Sequence, residues 1–155
     1  MRPPGDSPWW PSVSDVIEIH IRMCERERMP SQVADYTQSA ISGCIMRALN
    51  RSHYESSTDV CALGARLCVD IANRHCFADG NKRTAGTVLT VYLRQNGYVL
   101  RHRHRHEIGA LIVESVVKSQ SSYSGDSQEV LDRLIALVRN SVERLGPPPK
   151  TRMPR

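Results

Sequence analysis

The stretch VCALGARLCVDI, residues 60–71, decides the fold class of this sequence. Its apolar residues recur with a period near 3.6, which is the period of an α-helix with one buried face. They are Val60, Leu63, Leu67, Cys68 and Ile71, with the small residue Gly64 among them. A helix over residues 57–74 is therefore predicted, capped by Ser57 or Thr58. The same period places His75, four residues past Ile71, on the buried stripe.

Apolar residues also recur at helical spacing on both sides of this stretch. We predict a first helix that is capped by Ser12 or Ser14 and ends before Pro30. Further helices are expected over residues 33–48, 82–95, 106–119 and 127–145, with Asn96-Gly97 as a stop signal. Strand signals are confined to residues 98–100. The elements predict an all-α fold, a compact bundle of about six helices.

The sequence has room for one folded domain. Its 155 residues are 40% hydrophobic and 24% charged, and a chain of this length buries enough surface to need no metal or disulfide. Prolines cluster at both ends. We expect a flexible N-terminal extension over residues 1–12, a folded domain over residues 13–145 and a disordered Pro/Arg-rich tail over residues 146–155. Trp9 and Trp10 are expected to pack on the first helix.

Membrane and secretory functions are not expected. The longest apolar runs fall far short of the roughly 20 residues that span a bilayer, and the N-terminus lacks the apolar stretch of a secretory signal. The five cysteines are an odd number without a Cys-x-x-Cys pair, which is typical of free thiols in a reducing compartment. We therefore expect a cytoplasmic protein.

The charge balance is basic, and arginine dominates it. The formal net charge is +5, and 18 of the 21 basic residues are arginines, whose planar guanidinium group suits phosphate. This balance permits a nucleotide, a nucleic acid or an acidic protein as partner without choosing among them.

Residues 75–85, with the sequence HCFADGNKRTA, carry the chemistry of the chain. Lys82 and Arg83 stand at the start of a predicted helix, where unpaired N–H groups and the helix dipole disfavour basic side chains. A bound phosphate would explain them, since the backbone donors, the dipole and both cations would hold it together. Gly80 would let the backbone approach that phosphate, and Asn81 would cap the helix or turn its amide toward the ligand.

Two further side chains complete a site for phosphoryl-type transfer. Asp79 is a carboxylate at the edge of the phosphate site, an arrangement that holds Mg2+ through one carboxylate and phosphate oxygens. His75 ends the preceding helix, and its side chain can accept a proton near neutral pH. The Phe77 side chain is expected to be buried in the core and to hold this segment in place. The segment thus supplies a base, a metal ligand and a phosphate clamp.

The same segment resembles the signature of the Fic/Doc family, His-x-Phe-x-Asp/Glu-Gly-Asn-Gly/Lys-Arg, at every defined position. The lysine at position 82 is similar to the Doc branch, the death-on-curing toxins, and residues 16–20 and 93–97 also look Doc-like. The resemblance is strong at the motif and weak elsewhere. It implies that residues 13–145 form a Fic/Doc-like catalytic domain.

The resemblance also implies a role for each motif residue. His75 would deprotonate a target hydroxyl, and Asp79 would bind Mg2+. The residues that would hold the phosphates of ATP or another nucleoside triphosphate are Gly80, Asn81, Lys82 and Arg83.

Lys82 decides which group would be transferred. Most Fic enzymes have glycine at this position and attach AMP, whereas the lysine of Doc-like proteins narrows that space and the γ-phosphate lies at the reactive centre. Gly86, which stands where many Fic enzymes have a second arginine, points the same way. Gly80, where alanine is common in Doc, resembles Fic proteins in general. The resemblance therefore implies a protein kinase, with AMP transfer through the same residues as the alternative.

The implied biological role is that of a toxin. Doc-like proteins act on a translation protein, elongation factor Tu in the family, and an antitoxin protein holds them inactive. Residues 14–18 have the spacing of the self-inhibiting Fic motif, but Ile19 follows where that motif has Gly or Asn. We interpret them as the ordinary first helix and expect the restraint to come from the antitoxin.

A different class of function remains as a further alternative. The chain would then be a catalytically inactive, basic binding protein that uses the run RHRHRH, residues 101–106. Alternation would place the three histidines of this run on one face of an extended strand. We interpret the run as a solvated basic loop and expect neither a nucleic-acid nor a membrane partner.

Overall fold

The computed structural model describes residues 7–31, 33–55, 58–120 and 124–145, and it contains six α-helices and one small sheet. The helices are α1 Val13–Arg26, α2 Thr37–Tyr54, α3 Val60–Asn73, α4 Asn81–Gln95, α5 Arg105–Ser119 and α6 Ser124–Ser141. The strands are β1 Tyr98–Leu100 and β2 Val142–Arg144, and a 3-10 helix, His102–His104, precedes α5. The predicted all-α class is confirmed. Within the described ranges, no helix is long and apolar enough to cross a membrane.

α3 is the central helix of the bundle, because it contacts α2, α4, α5 and α6. The buried face predicted from its period is observed, except that Val60 is only half-buried. α3 and α4 pack tightly at Gly64, where an added Cβ atom would lie 2.8 Å from Cδ1 of the buried Tyr92 ring. This close packing fixes the two helices that flank residues 75–80.

The N-terminal caps follow local side-chain chemistry. The Ser12 hydroxyl accepts a hydrogen bond from the Asp15 N–H group, and the Asp15 carboxylate accepts one from the Ser12 N–H group. This capping box starts α1 at one of the two predicted positions. α3 starts later than expected, because its cap is Asp59 rather than Thr58. The other predicted cap, Ser57, lies outside the described residues.

α2 begins four residues later and ends six residues later than the predicted range of 33–48. Thr37 fixes the start, because its hydroxyl accepts a hydrogen bond from the Ala34 N–H group and donates one to the Cys76 carbonyl oxygen. At the other end the apolar pattern fades, yet the helix continues on polar residues. An ion pair between Arg51 and Glu55 supports this last turn.

Strand β2 occupies residues that were predicted to form the end of the last helix. That helix was expected over residues 127–145, but α6 spans Ser124–Ser141 and the next three residues form β2. β2 pairs antiparallel with β1, with Tyr98 opposite Arg144, and the Arg101 N–H group donates to the Ser141 carbonyl oxygen. Tertiary pairing with a distant strand outweighs the local helical period, which is why the sequence alone does not indicate β2.

The Arg/His run does not form an extended strand. The 3-10 helix takes up its three central residues, and Arg105 and His106 begin α5. Arg101 pairs with Glu143 of β2 at 2.8 Å. The alternative in which the three histidines share one face of an extended strand does not hold, because residues 102–106 are helical.

Residues 7–12, which the sequence assigns to a flexible extension, contact the helical core. The ring centroids of Trp9 and Trp10 lie 6.5 Å and 5.2 Å from that of Tyr92. The Trp9 N–H group also donates to the Asn96 side-chain oxygen at 2.7 Å. The two tryptophans therefore pack on the core, with Tyr92 of α4 as the ring that they contact. Residues 1–6 and the predicted tail over 146–155 lie outside the described residues.

We expect Gly64→Ala and Gly109→Ala to change stability in opposite directions. Overpacking against the Tyr92 ring costs about 1–3 kcal/mol, and replacing a helical glycine by alanine offsets up to about 1 kcal/mol of that cost. At Gly109 in α5, no described atom lies within 4 Å of the added Cβ atom, so the higher helix propensity of alanine stabilises the protein without a packing cost.

Urea denaturation followed by circular dichroism measures both changes. The free energy of unfolding should fall by about 1 kcal/mol for Gly64→Ala and rise by about 1 kcal/mol for Gly109→Ala. A gain at both positions would contradict the close packing of α3 on α4.

Candidate active site

The motif loop, residues 74–80 between α3 and α4, begins with a left-handed turn. α3 ends at Asn73, Arg74 is its C-terminal cap, and His75 follows with a φ of 49°. The prediction that His75 continues the buried stripe is wrong, because the helix ends before it and the chain turns there. The His75 side chain is exposed and lines a cavity. The turn therefore moves this histidine out of the core.

Phe77 anchors the motif loop in the core. Its side chain is fully buried, as the sequence predicts. Asn81 fixes the backbone of the same residue: its side-chain oxygen accepts from the Phe77 N–H group at 2.9 Å, and its Nδ2 donates to the Phe77 carbonyl oxygen at 2.7 Å. Of the two roles expected for Asn81, capping of α4 is not observed, because Gly80 is the N-cap and the Asn81 amide binds the loop backbone. Contact with a ligand stays a prediction.

Gly80 is required at the start of α4. Its φ is 79°, and an added Cβ atom would lie 2.9 Å from Cε of Met23. α4 therefore begins with no side-chain cap, and no acidic residue stands in its first turn. Lys82 and Arg83 lie in that turn with exposed side chains. The start of α4 combines uncapped backbone with two cations, which is the arrangement that favours a bound anion.

His20 of α1 supports the motif loop from within the core, and sequence reasoning did not assign it a role. Its ring is fully buried and stacks on Phe77, with a centroid separation of 3.7 Å and an interplanar angle of 7°. Nδ1 lies 3.0 Å from the Thr84 hydroxyl, and Nε2 lies 3.4 Å from Sγ of Cys24. The available signal was its position four residues after Val16, on the apolar face of α1.

The ionisation of His20 reflects this environment. Burial lowers its pKa below the usual value of 6.5, and the negative charge of Asp79 opposes that shift. His20 is therefore neutral in the folded protein near pH 7. A neutral imidazole can share one hydrogen bond with Thr84 without placing a charge in the core.

One cavity of about 360 Å³ brings the predicted site residues together. Those that line it are His75, Asp79, Gly80, Asn81, Lys82 and Arg83. Ala72 of α3 and Val116 of α5 contribute apolar lining. The catalytic, metal-binding and phosphate-binding roles stay predictions, but the residues surround a single space.

A second, larger cavity of about 910 Å³ shares Lys82 and Arg83 with the first. The end of α1, the first half of α4 and the start of α5 line it. Arg83 pairs with Glu27 at 3.3 Å, and both side chains are largely exposed. An exposed ion pair contributes only about 0–1 kcal/mol, so a phosphate group can replace Glu27 as the partner of Arg83.

Asp79 is the carboxylate that would hold a metal ion here. Its side chain is exposed, and one oxygen accepts a hydrogen bond from the Gly80 N–H group at 2.7 Å. Over the described part of the chain, no group of three or more His, Cys, Asp or Glu residues could hold a metal ion. Proteins commonly bind Mg2+ through one or two carboxylates together with substrate phosphates, and Asp79 is a carboxylate of this kind, so Mg2+ binding here stays a prediction.

A small helical domain with this loop between two central helices is typical of one class of protein-modifying transferases. The Fic/DOC family matches residues 10–93, which is more than half of the chain and includes the motif from His75 to Arg83. The chain therefore belongs to the Fic/DOC family. No curated protein matches it. Family membership indicates a Fic-type transferase that acts on proteins.

We expect acid to destabilise the protein through His20. Below about pH 6.5 the unfolded chain takes up a proton on this residue, whereas the folded protein, with its lowered pKa, does not. The free energy of unfolding should therefore decrease as the pH is lowered, by up to about 1.4 kcal/mol per pH unit. Below the folded pKa both states carry the proton, and this contribution stops changing.

His20→Asn tests this pH dependence by urea unfolding between about pH 7.5 and about pH 4.5. The variant should be less stable near neutral pH but should lose less stability on acidification. His53→Asn, at an exposed position of α2, is the matched control and should retain the wild-type profile. A profile that is identical in His20→Asn and the wild type would count against the buried, neutral state of His20.

Proposed function

We propose that this chain is a Doc-like toxin enzyme that transfers a phosphoryl group from a nucleoside triphosphate such as ATP to a Ser or Thr hydroxyl of a translation protein. The observation that carries the proposal is the lining of the smaller cavity, where His75, Asp79, Lys82 and Arg83 meet. A base, a metal ligand and phosphate-binding cations are the groups that phosphoryl transfer requires.

His75 would act as the general base. The left-handed turn leaves its imidazole exposed at the cavity, where a protein substrate can present a hydroxyl. His75 would take the hydroxyl proton as the oxygen attacks phosphorus. Phe77, two residues along the chain, is fixed in the core and limits the movement of the base.

The start of α4 would hold the phosphates. Its backbone lacks a side-chain cap, and Lys82 and Arg83 add two exposed positive charges. Asp79 would hold Mg2+ jointly with the nucleotide, and the bound ion would neutralise charge on the phosphate oxygens. The Gly80 N–H group already orients the Asp79 carboxylate for this task.

Two residues favour phosphoryl transfer over AMP transfer. Lys82 stands where most Fic enzymes have glycine, and its side chain lines both cavities. Gly86, in place of the second arginine of many Fic enzymes, lines the larger cavity. The resemblance to Doc supports the same orientation, with the γ-phosphate beside His75.

AMP transfer through the same residues is the second candidate, and Gly80 favours it. Alanine is common in Doc at this position, but here the positive φ disfavours a side chain, and an added Cβ atom would displace the Met23 methyl group, 2.9 Å away. The motif is similar to that of Fic proteins in general in this respect.

The proposed partners are an elongation factor Tu-like target and a separate antitoxin protein, both in the cytoplasm. The resemblance to the Doc branch supports the two partners. α1 agrees with a separate antitoxin, because Glu18, which ends the segment with self-inhibiting spacing, is exposed and pairs with Arg22 at 2.9 Å. That glutamate behaves as an ordinary surface residue of the first helix.

Intact mass identifies the transferred group. The purified protein is incubated with Mg2+, ATP and bacterial translation factors, and each factor is then weighed. We expect a gain of about 80 Da, one phosphate, on elongation factor Tu or another factor. A gain of about 329 Da, one AMP, would instead establish the second candidate.

His75→Ala is the control for this measurement. The residue is exposed, so circular dichroism should show a retained fold, while transfer should fall by about 10²- to 10⁴-fold. If neither protein modifies any factor, the transferase proposal fails and the inactive, basic binding protein is favoured.

Lys82→Gly tests what sets the orientation of the nucleotide. Removal of the side chain opens space for the inner phosphates, so we expect the product to shift from about 80 Da toward about 329 Da. Lys82→Arg keeps both bulk and charge and should retain the phosphate product. A Lys82→Gly variant that still adds only phosphate would show that another residue orients the nucleotide.

A further inference from the structure

Two buried thiols lie side by side where the motif loop meets α2. Cys76 directly follows His75, and Cys44 lies in the middle of α2. Their Sγ atoms are 4.0 Å apart, and both side chains are fully buried. The Thr37 hydroxyl donates to the Cys76 carbonyl oxygen at 2.7 Å, which holds the loop backbone close to the start of α2. The fold thus pairs two thiols that are far apart in the sequence.

The surroundings of this pair favour one thiolate. Nη2 of Arg47 lies 3.6 Å from Sγ of Cys44 and supplies a positive charge. The thiol–thiol hydrogen bond lowers the pKa of Cys76 and raises that of Cys44, although burial opposes ionisation of both. Cys76 is therefore the better nucleophile of the two, and Cys44 is placed to attack second.

We propose that Cys44 and Cys76 form a reversible disulfide when the protein meets a peroxide, and that this modification regulates the site. Because both side chains are fully buried, the peroxide reaches Cys76 when the motif loop opens locally. The Cys76 sulfur then attacks one oxygen of hydrogen peroxide, the O–O bond breaks, a water leaves and a sulfenic acid forms. The Cys44 sulfur then attacks the Cys76 sulfur, so that the S–S bond forms, the S–O bond breaks and a second water leaves. The two thiols together lose two electrons and two protons, and the peroxide is reduced to two waters.

Formation of this disulfide has to move the motif loop. An S–S bond is about 2.05 Å long, so the two sulfur atoms must approach each other by about 2 Å. Cys44 belongs to a helix that packs on α1 and α3, whereas Cys76 lies next to His75, so the approach strains the loop backbone beside His75 against the anchors that Phe77 and Asn81 provide. A displacement of about 1 Å at a reacting group can cost about a hundredfold in rate. Lower transfer by the oxidised protein rests on the proposed function, whereas the disulfide itself does not.

The other three cysteines serve as internal controls. Cys24, Cys61 and Cys68 are also buried, but within the described residues none of them forms a hydrogen bond with a second thiol as Cys44 and Cys76 do. Cys24 lies against the His20 ring, and burial raises the pKa of Cys68 to about 12. A peroxide should therefore select the Cys44–Cys76 pair.

Mass spectrometry of the full chain tests the disulfide directly. The protein is treated briefly with hydrogen peroxide, free thiols are alkylated, and the digest is analysed without reduction. Before alkylation we expect an intact mass lower by about 2 Da, and in the digest we expect one cross-linked peptide pair that joins residues 44 and 76. Dithiothreitol should remove the cross-link. Transfer activity should fall at least tenfold with the cross-link and recover on reduction.

Cys44→Ala separates the disulfide from other oxidative damage. This variant removes both the partner and the hydrogen bond that activates Cys76, so it should form no cross-link and keep its activity after peroxide. Cys44→Ser serves the same purpose if the alanine variant packs poorly. Cys68→Ala is the matched control, because it removes another buried thiol and should still form the disulfide.

Three outcomes would overturn the proposal. They are a treated wild type without the 44–76 cross-link, a cross-link that leaves transfer unchanged, and an equal loss of activity in Cys44→Ala. Absence of transfer in the untreated protein would count against the proposed function alone, since the cross-link is measured by mass and not by activity.

Discussion

The stacking of Phe77 on His20 is the interaction on which the site depends. A loop that carries polar and charged groups has few apolar atoms with which to hold itself, so one buried ring has to fix its position. The Asn81 amide then locks the backbone at that ring, and the next turn of chain becomes α4. The position of His75 is thus set by a core contact two residues away, so a packing defect at Phe77 would displace His75 as directly as a change at the surface would.

The start of α4 concentrates an electrostatic cost that a bound anion would relieve. Two cations stand at the positive end of a helix dipole, without a capping side chain, and Glu27 is the described carboxylate that pairs with one of them. Such a site is poor for stability and good for binding anions. The two cations belong to the stretch that the Fic/DOC family model matches, so local charge gives a physical reason for the anion site that is proposed there.

Local signals predicted most of the fold, because capping residues, helical period and the Asn-Gly stop act within a few residues. They also predicted which residues line the smaller cavity, since these lie almost consecutively along the chain. The features that the sequence did not indicate depend on partners far away in the chain. β2 forms by pairing with β1, His20 stacks on Phe77, and the Cys44 thiol lies beside that of Cys76. The exposure of His75 was missed for another reason. No glycine or proline marks the end of α3, and the spacing of apolar residues does not indicate at which residue a helix ends.

The two ends of the described chain meet at the C-terminal end of α4. The backbone N–H group of Trp9 donates a hydrogen bond to the Asn96 side-chain oxygen, and the Leu145 N–H group donates one to the Gly97 carbonyl oxygen. Lys82 lies at the opposite end of this 15-residue helix, about 20 Å away at the usual rise per residue. A label, an affinity handle or a surface tether joined next to either end would therefore stand a helix length from the cavity, so that a protein substrate could still approach an immobilised molecule.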